Sequence, residues 1–195
     1  MDLRSQYVVS LQSLPRQEGS MTTFKTVLDV PADVRLELIG IPEGAPMDVD
    51  LTLQSVSEGV FVQGRVKADA EGQCSRCLID LEVPMDEQVA ELIFYPERRE
   101  ALKDEGDDEA DELPVIEDDH IDLEPILRDA LVLAMPFRPL CEPDCQGLCP
   151  DCGERWADLP EDHFHEVLDP RFNALDGLAA KLAAEESGEA GVADA

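Results

Sequence analysis

Six cysteines carry the chemistry that this sequence offers, and they fall in two groups. Cys74-Ser75-Arg76-Cys77 forms one, while Cys141, Cys145, Cys149 and Cys152 crowd into 12 residues further on. Cys149-Pro150-Asp151-Cys152-Gly153 has the form of a zinc knuckle. Two residues between thiolates let both sulfurs reach one tetrahedral ion at ~2.3 Å. Pro150 fixes φ after the first sulfur, and Gly153 permits a left-handed turn after the second. Backbone amides can then point at the sulfurs and lower their charge density.

The amino terminus lacks a basic patch followed by an apolar run, so the expected compartment is the cytoplasm, where thiols stay reduced. Closely spaced thiols there point to metal rather than to cross-links. A redox pair at Cys149 and Cys152 is disfavoured, because Asp144, Asp151 and Glu154 nearby should raise thiol pKa values.

Several ligand sets fit these spacings. The simplest is Cys141, Cys145, Cys149 and Cys152. A rival takes Cys145, Cys149 and Cys152 with an imidazole from His163-Phe164-His165. A third pairs Cys74 and Cys77 with Cys149 and Cys152 as a two-knuckle ribbon. Against these stand plainer readings, with Cys74 and Cys77 as buried strand thiols and His163 and His165 as exposed loop residues. A closed four-ligand site is structural, with no open position for water. The sequence shows no glycine-rich phosphate loop and no serine in a nucleophile elbow. His120 lies among Glu117, Asp118 and Asp119 and reads as loop. The acids of residues 104–112 lack the spacing of a calcium loop. The expectation is a protein that is not an enzyme, with zinc as its structural cofactor.

The chain that must position these thiols has 195 residues, the length of one domain with a small appendage. Its 45 acidic and 15 basic residues give a net charge of -30. Residues 97–124 are the extreme, with 14 acids against 3 bases, and no third of the chain is basic. Such a field repels nucleic acid and attracts cationic partners. Aromatics are only 5%, too few for a base-stacking platform. Direct RNA contact would fall to Arg65, Lys67 and Arg76, a thin footprint. The longest apolar run, residues 130–137, is far short of the ~20 residues that cross a bilayer.

Periodicity predicts an α+β fold: an antiparallel β meander or partial barrel with a few helices and a C-terminal knuckle. Residues 7–11 read as a short strand, and residues 24–38 are ambiguous between helix and strand. Val49, Leu51 and Leu53 alternate with Asp50, Thr52 and Gln54. After a turn at Ser57-Glu58-Gly59, Val60, Val62, Gly64, Val66 and Ala68 share one face and Gln63, Arg65, Lys67 and Asp69 the other. A second turn is expected at residues 70–73, then strands over 74–83 and 88–95. The expected organisation is a β region over 1–96, a flexible acidic loop over 97–119, and residues 120–184 completing the same domain. Within that last part, Asp122 caps a helix ending at Met135-Pro136, and Asp169-Pro170 opens another with Phe172, Leu175, Leu178, Ala179 and Leu182 as its stripe. Residues 185–195 form a disordered tail.

The order of motifs resembles the YceD family, the large ribosomal RNA subunit accumulation proteins of bacteria. It runs from a strand-borne Cys74-Ser75-Arg76-Cys77-Leu78 through an acidic loop to Ile121-Asp122-Leu123. It continues with Leu133-Ala134-Met135-Pro136, Pro139-Leu140-Cys141, Cys145-Gln146-Gly147-Leu148-Cys149-Pro150 and Cys152-Gly153, and closes on Asp169-Pro170-Arg171-Phe172. The likeness spans residues 7–182. It implies a non-enzymatic role in ribosome biogenesis: the synthesis, processing or stability of large-subunit ribosomal RNA. The partner would be that RNA or its precursor particle, reached directly or through a basic ribosomal protein. The alternative is an acidic escort for such a protein without RNA contact. Cysteine-rich members of the family carry a further Cys-x-Cys after the knuckle, near where His163 and His165 stand here. Histidine can replace thiolate on zinc. Other members lack the C-terminal cysteines, which implies that metal is not indispensable to the family's role.

Overall fold

The computed structural model describes residues 2–165 together with 175, 177, 178, 181 and 182. The expected tail over 185–195 and the opening of the last helix at Asp169-Pro170 lie outside the described residues. Leu175, Leu178 and Leu182 of its stripe are helical and exposed. The chain divides into two compact units, Met1–Gly147 and Leu148–Ala195.

In the first unit, β1 (Val8–Ser10), β2 (Met21–Asp29), β3 (Ile39–Gly40), β4 (Pro46–Val56), β5 (Gly59–Gln73) and β6 (Asp80–Phe94) precede α1 (Pro96–Asp104). Then come β7 (His120–Asp122) and α2 (Glu124–Ala134). The main sheet is antiparallel, with β2 beside β4, β4 and β3 along one side of β5, and β6 along the other. A separate ribbon joins β1 to β7. The sheet is open, with β2 and β6 as edges that do not pair with each other among the described residues, so it is not a closed barrel.

The period-2 pattern decides which face is buried. Met47, Val49, Leu51 and Leu53 of β4 and Val60, Val62 and Val66 of β5 are almost fully buried. Between them Asp48, Asp50, Arg65 and Lys67 face outward. α2 lies against β6 and β5 and buries Leu127 and Leu131 completely. Each such leucine contributes ~2 kcal/mol of apolar burial. Asp122 sits one residue before the helix's N-cap, Leu123, and its Oδ1 accepts the Glu124 amide at 3.0 Å.

Several boundaries differ from the sequence reading. The ambiguous stretch over 24–38 continues strand β2 to Asp29 and then becomes irregular apart from one bridge. β5 runs through the expected turn over 70–73, because Ala70 is fully buried and Gln73 pairs with Asp80. The chain reverses instead over residues 74–79. β6 is one strand through Pro84, where two were expected; it pairs only with β5 there, and an edge strand tolerates proline.

The expected acidic loop begins as α1. Pro96 stands in the first turn with Glu97, and Lys103 in the last, which suits the helix dipole. Arg98 bridges to Glu58 and Glu105, and Lys103 pairs with Asp111. The remainder is also tied down. Ala110 is fully buried, and the Ile116 amide donates to the Phe94 carbonyl at 2.9 Å. Among the described residues, no helix is long and apolar enough to cross a membrane.

Candidate metal centre

The long β5–β6 hairpin carries the first cysteine pair at its tip rather than on a strand. The Cys74 amide donates to the Ile79 carbonyl at 2.8 Å, and the Leu78 amide donates back to the Cys74 carbonyl at 3.0 Å. This tight reversal places Leu78 at φ 61°, a left-handed position unusual for a branched side chain. The segment after α2 meets the tip. The Ser75 amide donates to the Pro139 carbonyl at 2.8 Å, and Arg76 Nη1 donates to the Cys145 carbonyl at 2.7 Å. Gly147 passes so close that a Cβ there would lie 3.0 Å from the Arg76 carbonyl oxygen, at φ 81°.

Four sulfurs converge as a result. Those of Cys74, Cys77, Cys141 and Cys145 all lie within 4.8 Å of one another. Cys74 Sγ is 3.8 Å from Cys145 Sγ, and Cys77 Sγ is 3.6 Å from Cys141 Sγ. A tetrahedral ion with ~2.3 Å bonds to sulfur sets its ligands ~3.8 Å apart, so the donor set fits. Cys74, Cys77 and Cys145 are buried, whereas Cys141 is exposed as a residue with its sulfur turned to the other three.

Ionisation within the group is uneven. Burial opposes charge on Cys74, but the backbone amides of Cys77, Arg76 and Cys141 outweigh it and bring the thiol down to about 6. Desolvation, followed by the sulfurs of Cys145, Cys77 and Cys74, pushes Cys141 up to about 12. Burial likewise raises Cys145, against the amide of Gly147 that donates to its sulfur. One thiolate is favoured and the next is resisted, the pattern that a divalent cation at the centre would relieve.

In the second unit, Leu148 bridges Arg155, the Cys149 amide donates to the Glu154 carbonyl at 2.7 Å, and the Gly153 amide donates to the Cys149 carbonyl at 2.9 Å. Gly153 takes the left-handed conformation, φ 77°. The amides of Cys152 and Asp151 point at the Cys149 sulfur and lower its pKa, with burial and the Asp151 carboxylate opposing. The expected carboxylate effect is therefore present but overruled by backbone amides. Cys149, Cys152, His163 and His165 place one donor atom each within 4.8 Å of all the others. Cys152 Sγ lies 3.7 Å from His163 Nε2.

The donor atoms gather in two groups, one within each unit. Cys141 and Cys145 join Cys74 and Cys77, because Arg76 and Ser75 hold the hairpin tip to their segment. Cys149 and Cys152 join both histidines, with His163 lying against Trp156 and its Nε2 3.7 Å from Cys152 Sγ. All six cysteines are free, and each group can hold a metal ion. The sequence reading missed Gly147 as an amide donor to sulfur, although a glycine two residues after Cys145 was a usable signal.

The three cations weighed for RNA are dispersed. Arg65 and Lys67 share the outward face of β5, and both pair with Asp86, at 2.7 and 3.2 Å. Lys25, which the sequence did not single out, pairs with Asp50 on the same face. Arg76 serves the hairpin tip instead.

An open antiparallel sheet whose longest hairpin ends in a thiol cluster, followed by a Cys/His knuckle, defines a cysteine-rich α+β protein with potential metal centres. The family described as "Large ribosomal RNA subunit accumulation protein YceD" matches residues 62–179, and the chain belongs to that family. An uncharacterized protein of Mycobacterium tuberculosis is 42% identical over 171 residues, covering 88% of this chain and 80% of that one. One from Mycobacterium leprae is 33% identical over 91% of this chain and 80% of its own. The uncharacterized protein YlbN of Bacillus subtilis is 31% identical over 54% of this chain and 58% of its own. No solved structure matches significantly.

Proposed function

We propose that this protein is a non-enzymatic cytoplasmic factor that supports the synthesis, processing or stability of large-subunit ribosomal RNA. Its thiol cluster at Cys74, Cys77, Cys141 and Cys145 holds zinc as a scaffold. The family match over residues 62–179 carries this reading, because it spans most of the β5–β6 hairpin and all six cysteines. Four protein ligands fill a tetrahedral site and leave no position for substrate, which supports structure over catalysis. Soft thiolates select zinc over magnesium or calcium.

A second reading has the protein reach RNA through a basic ribosomal protein bound to its acidic surface. The observation favouring it is that Asp86 already engages Arg65 and Lys67, the cations best placed for phosphate. Capture of the tagged full-length protein from lysate, with and without ribonuclease, separates the two. Ribosomal RNA and proteins that disappear on ribonuclease treatment support direct RNA contact. A basic ribosomal protein that stays bound supports the escort. Retention of nothing ribosomal in either arm contradicts both.

A further inference from the structure

We infer that the second unit carries its own metal ion, held by Cys149, Cys152, His163 and His165, and that this ion organises the segment over residues 148–165. The inference uses only residues of that unit and stands apart from the scaffold reading of the first unit.

Packing is the first argument. Over residues 148–165 Cys149 is the one buried side chain. Its regular structure is a single 3-10 turn, Trp156–Asp158. A segment this short with no core of its own needs a cross-link or an ion to hold one conformation. The side chains that do converge are metal donors. Cys149 and Cys152 come from the knuckle, while His163 and His165 reach them from 11 and 13 residues beyond Cys152.

Geometry is the second. A tetrahedral ion with bonds of ~2.3 Å to sulfur and ~2.0 Å to nitrogen sets S and N about 3.5 Å apart. The observed separation between Cys152 Sγ and His163 Nε2 is 3.7 Å. Two amides already point at the Cys149 sulfur, the outer-shell arrangement that supports a metal-bound thiolate. His163 is also fixed from the side, with Trp156 edge-on at 5.5 Å between ring centroids.

Exposure sets the consequence. Cys152 and His165 are exposed and His163 is half-buried, whereas three of the four sulfurs in the first unit are buried. The Cys/His ion therefore exchanges faster, and losing it disorders residues 148–165 while the first unit stays folded.

Elemental analysis of the full-length protein, equilibrated with zinc and desalted, is the test. Two ions per chain are expected for the natural sequence and one for Cys149→Ser with Cys152→Ser. Hydrogen exchange on that variant should show lost protection over 148–165 and unchanged protection in β4, β5 and β6. His163→Ala with His165→Ala should weaken zinc binding at this site at least tenfold. The cobalt(II) difference spectrum between natural protein and cysteine variant should show a tetrahedral ion with two thiolates rather than four. A cysteine variant that retains as many ions per chain as the natural protein, or full protection of 148–165 without the ion, would overturn the inference, whereas loss of the one ion present on Cys149→Ser with Cys152→Ser would contradict only the first-unit scaffold.

Discussion

Cys77 Sγ stands 3.6 Å from Cys141 Sγ, although 64 residues of chain separate them. Within that loop lie β6, α1, β7 and α2, so the contact joins the tip of the longest hairpin to the chain leaving the last helix of the unit. An ion shared by these sulfurs acts as a clip on the unfolded chain as well as a ligand centre.

Closing a loop of this length is worth about 4 kcal/mol on the chain-entropy scale. At 2–4 °C per kcal/mol for a protein of this size, Cys77→Ser or metal removal by a chelator should lower Tm by about 10 °C. Calorimetry with and without added zinc checks this, and a Tm that ignores both treatments contradicts the clip.

Arg76 is a positioning residue for Cys145. Its guanidinium donates to the Cys145 carbonyl at 2.7 Å, and a charged hydrogen bond of this kind contributes ~1.5–3 kcal/mol. Arg76→Ala should destabilise by about 1–2 kcal/mol and speed zinc release to a colorimetric chelator. Arg65→Ala, on the exposed sheet face, should do neither.

Leu78 follows Cys77 at φ 61° just as Gly153 follows Cys152 at φ 77°. The left-handed region costs a non-glycine residue ~1–2 kcal/mol, partly offset here by glycine's larger unfolded entropy. Leu78 is 55% exposed, so little burial is lost on truncation. Leu78→Gly should therefore raise stability by about 0.5 kcal/mol in urea unfolding, with the metal content unchanged. A loss above 1 kcal/mol would show that the side chain packs rather than merely tolerates the turn.

Asp86 should titrate below the ordinary carboxylate range, mainly through the side-chain hydrogen bond from Arg65, with Lys67 adding to it and desolvation opposing. Because its folded pKa is depressed, its contribution is present above the unfolded carboxylate pKa and fades as pH falls through the folded value. Carboxyl-carbon NMR titration measures this. Asp86→Asn should increase salt-sensitive retention on phosphocellulose by releasing Arg65 and Lys67, while Tm hardly moves, since both pairs are solvent-exposed.

The β architecture was legible because its pattern is local. Val49, Leu51 and Leu53 alternate with polar neighbours, and burial follows that alternation. Element ends were less legible, because a turn at residues 70–73 and a strand into Gln73 have similar local propensity, and only pairing with Asp80 decides between them. The acidic segment misled for a related reason: its ion pairs through Arg98 and Lys103 depend on spatial neighbours. The cysteines pointed to metal from spacing alone. Which cysteines meet was beyond spacing, since the partners of Cys74 and Cys77 are chosen by a backbone contact between Ser75 and Pro139.

On the proposed reading, the hairpin tip and the segment after α2 share one ion. Anomalous diffraction from crystals of the full-length protein, collected either side of the zinc edge, tests it most directly. A zinc peak ~2.3 Å from the sulfurs of Cys74, Cys77, Cys141 and Cys145 is the expected result. A peak bounded by Cys141, Cys145, Cys149 and Cys152, or no peak among the first four sulfurs in zinc-equilibrated crystals, would contradict it.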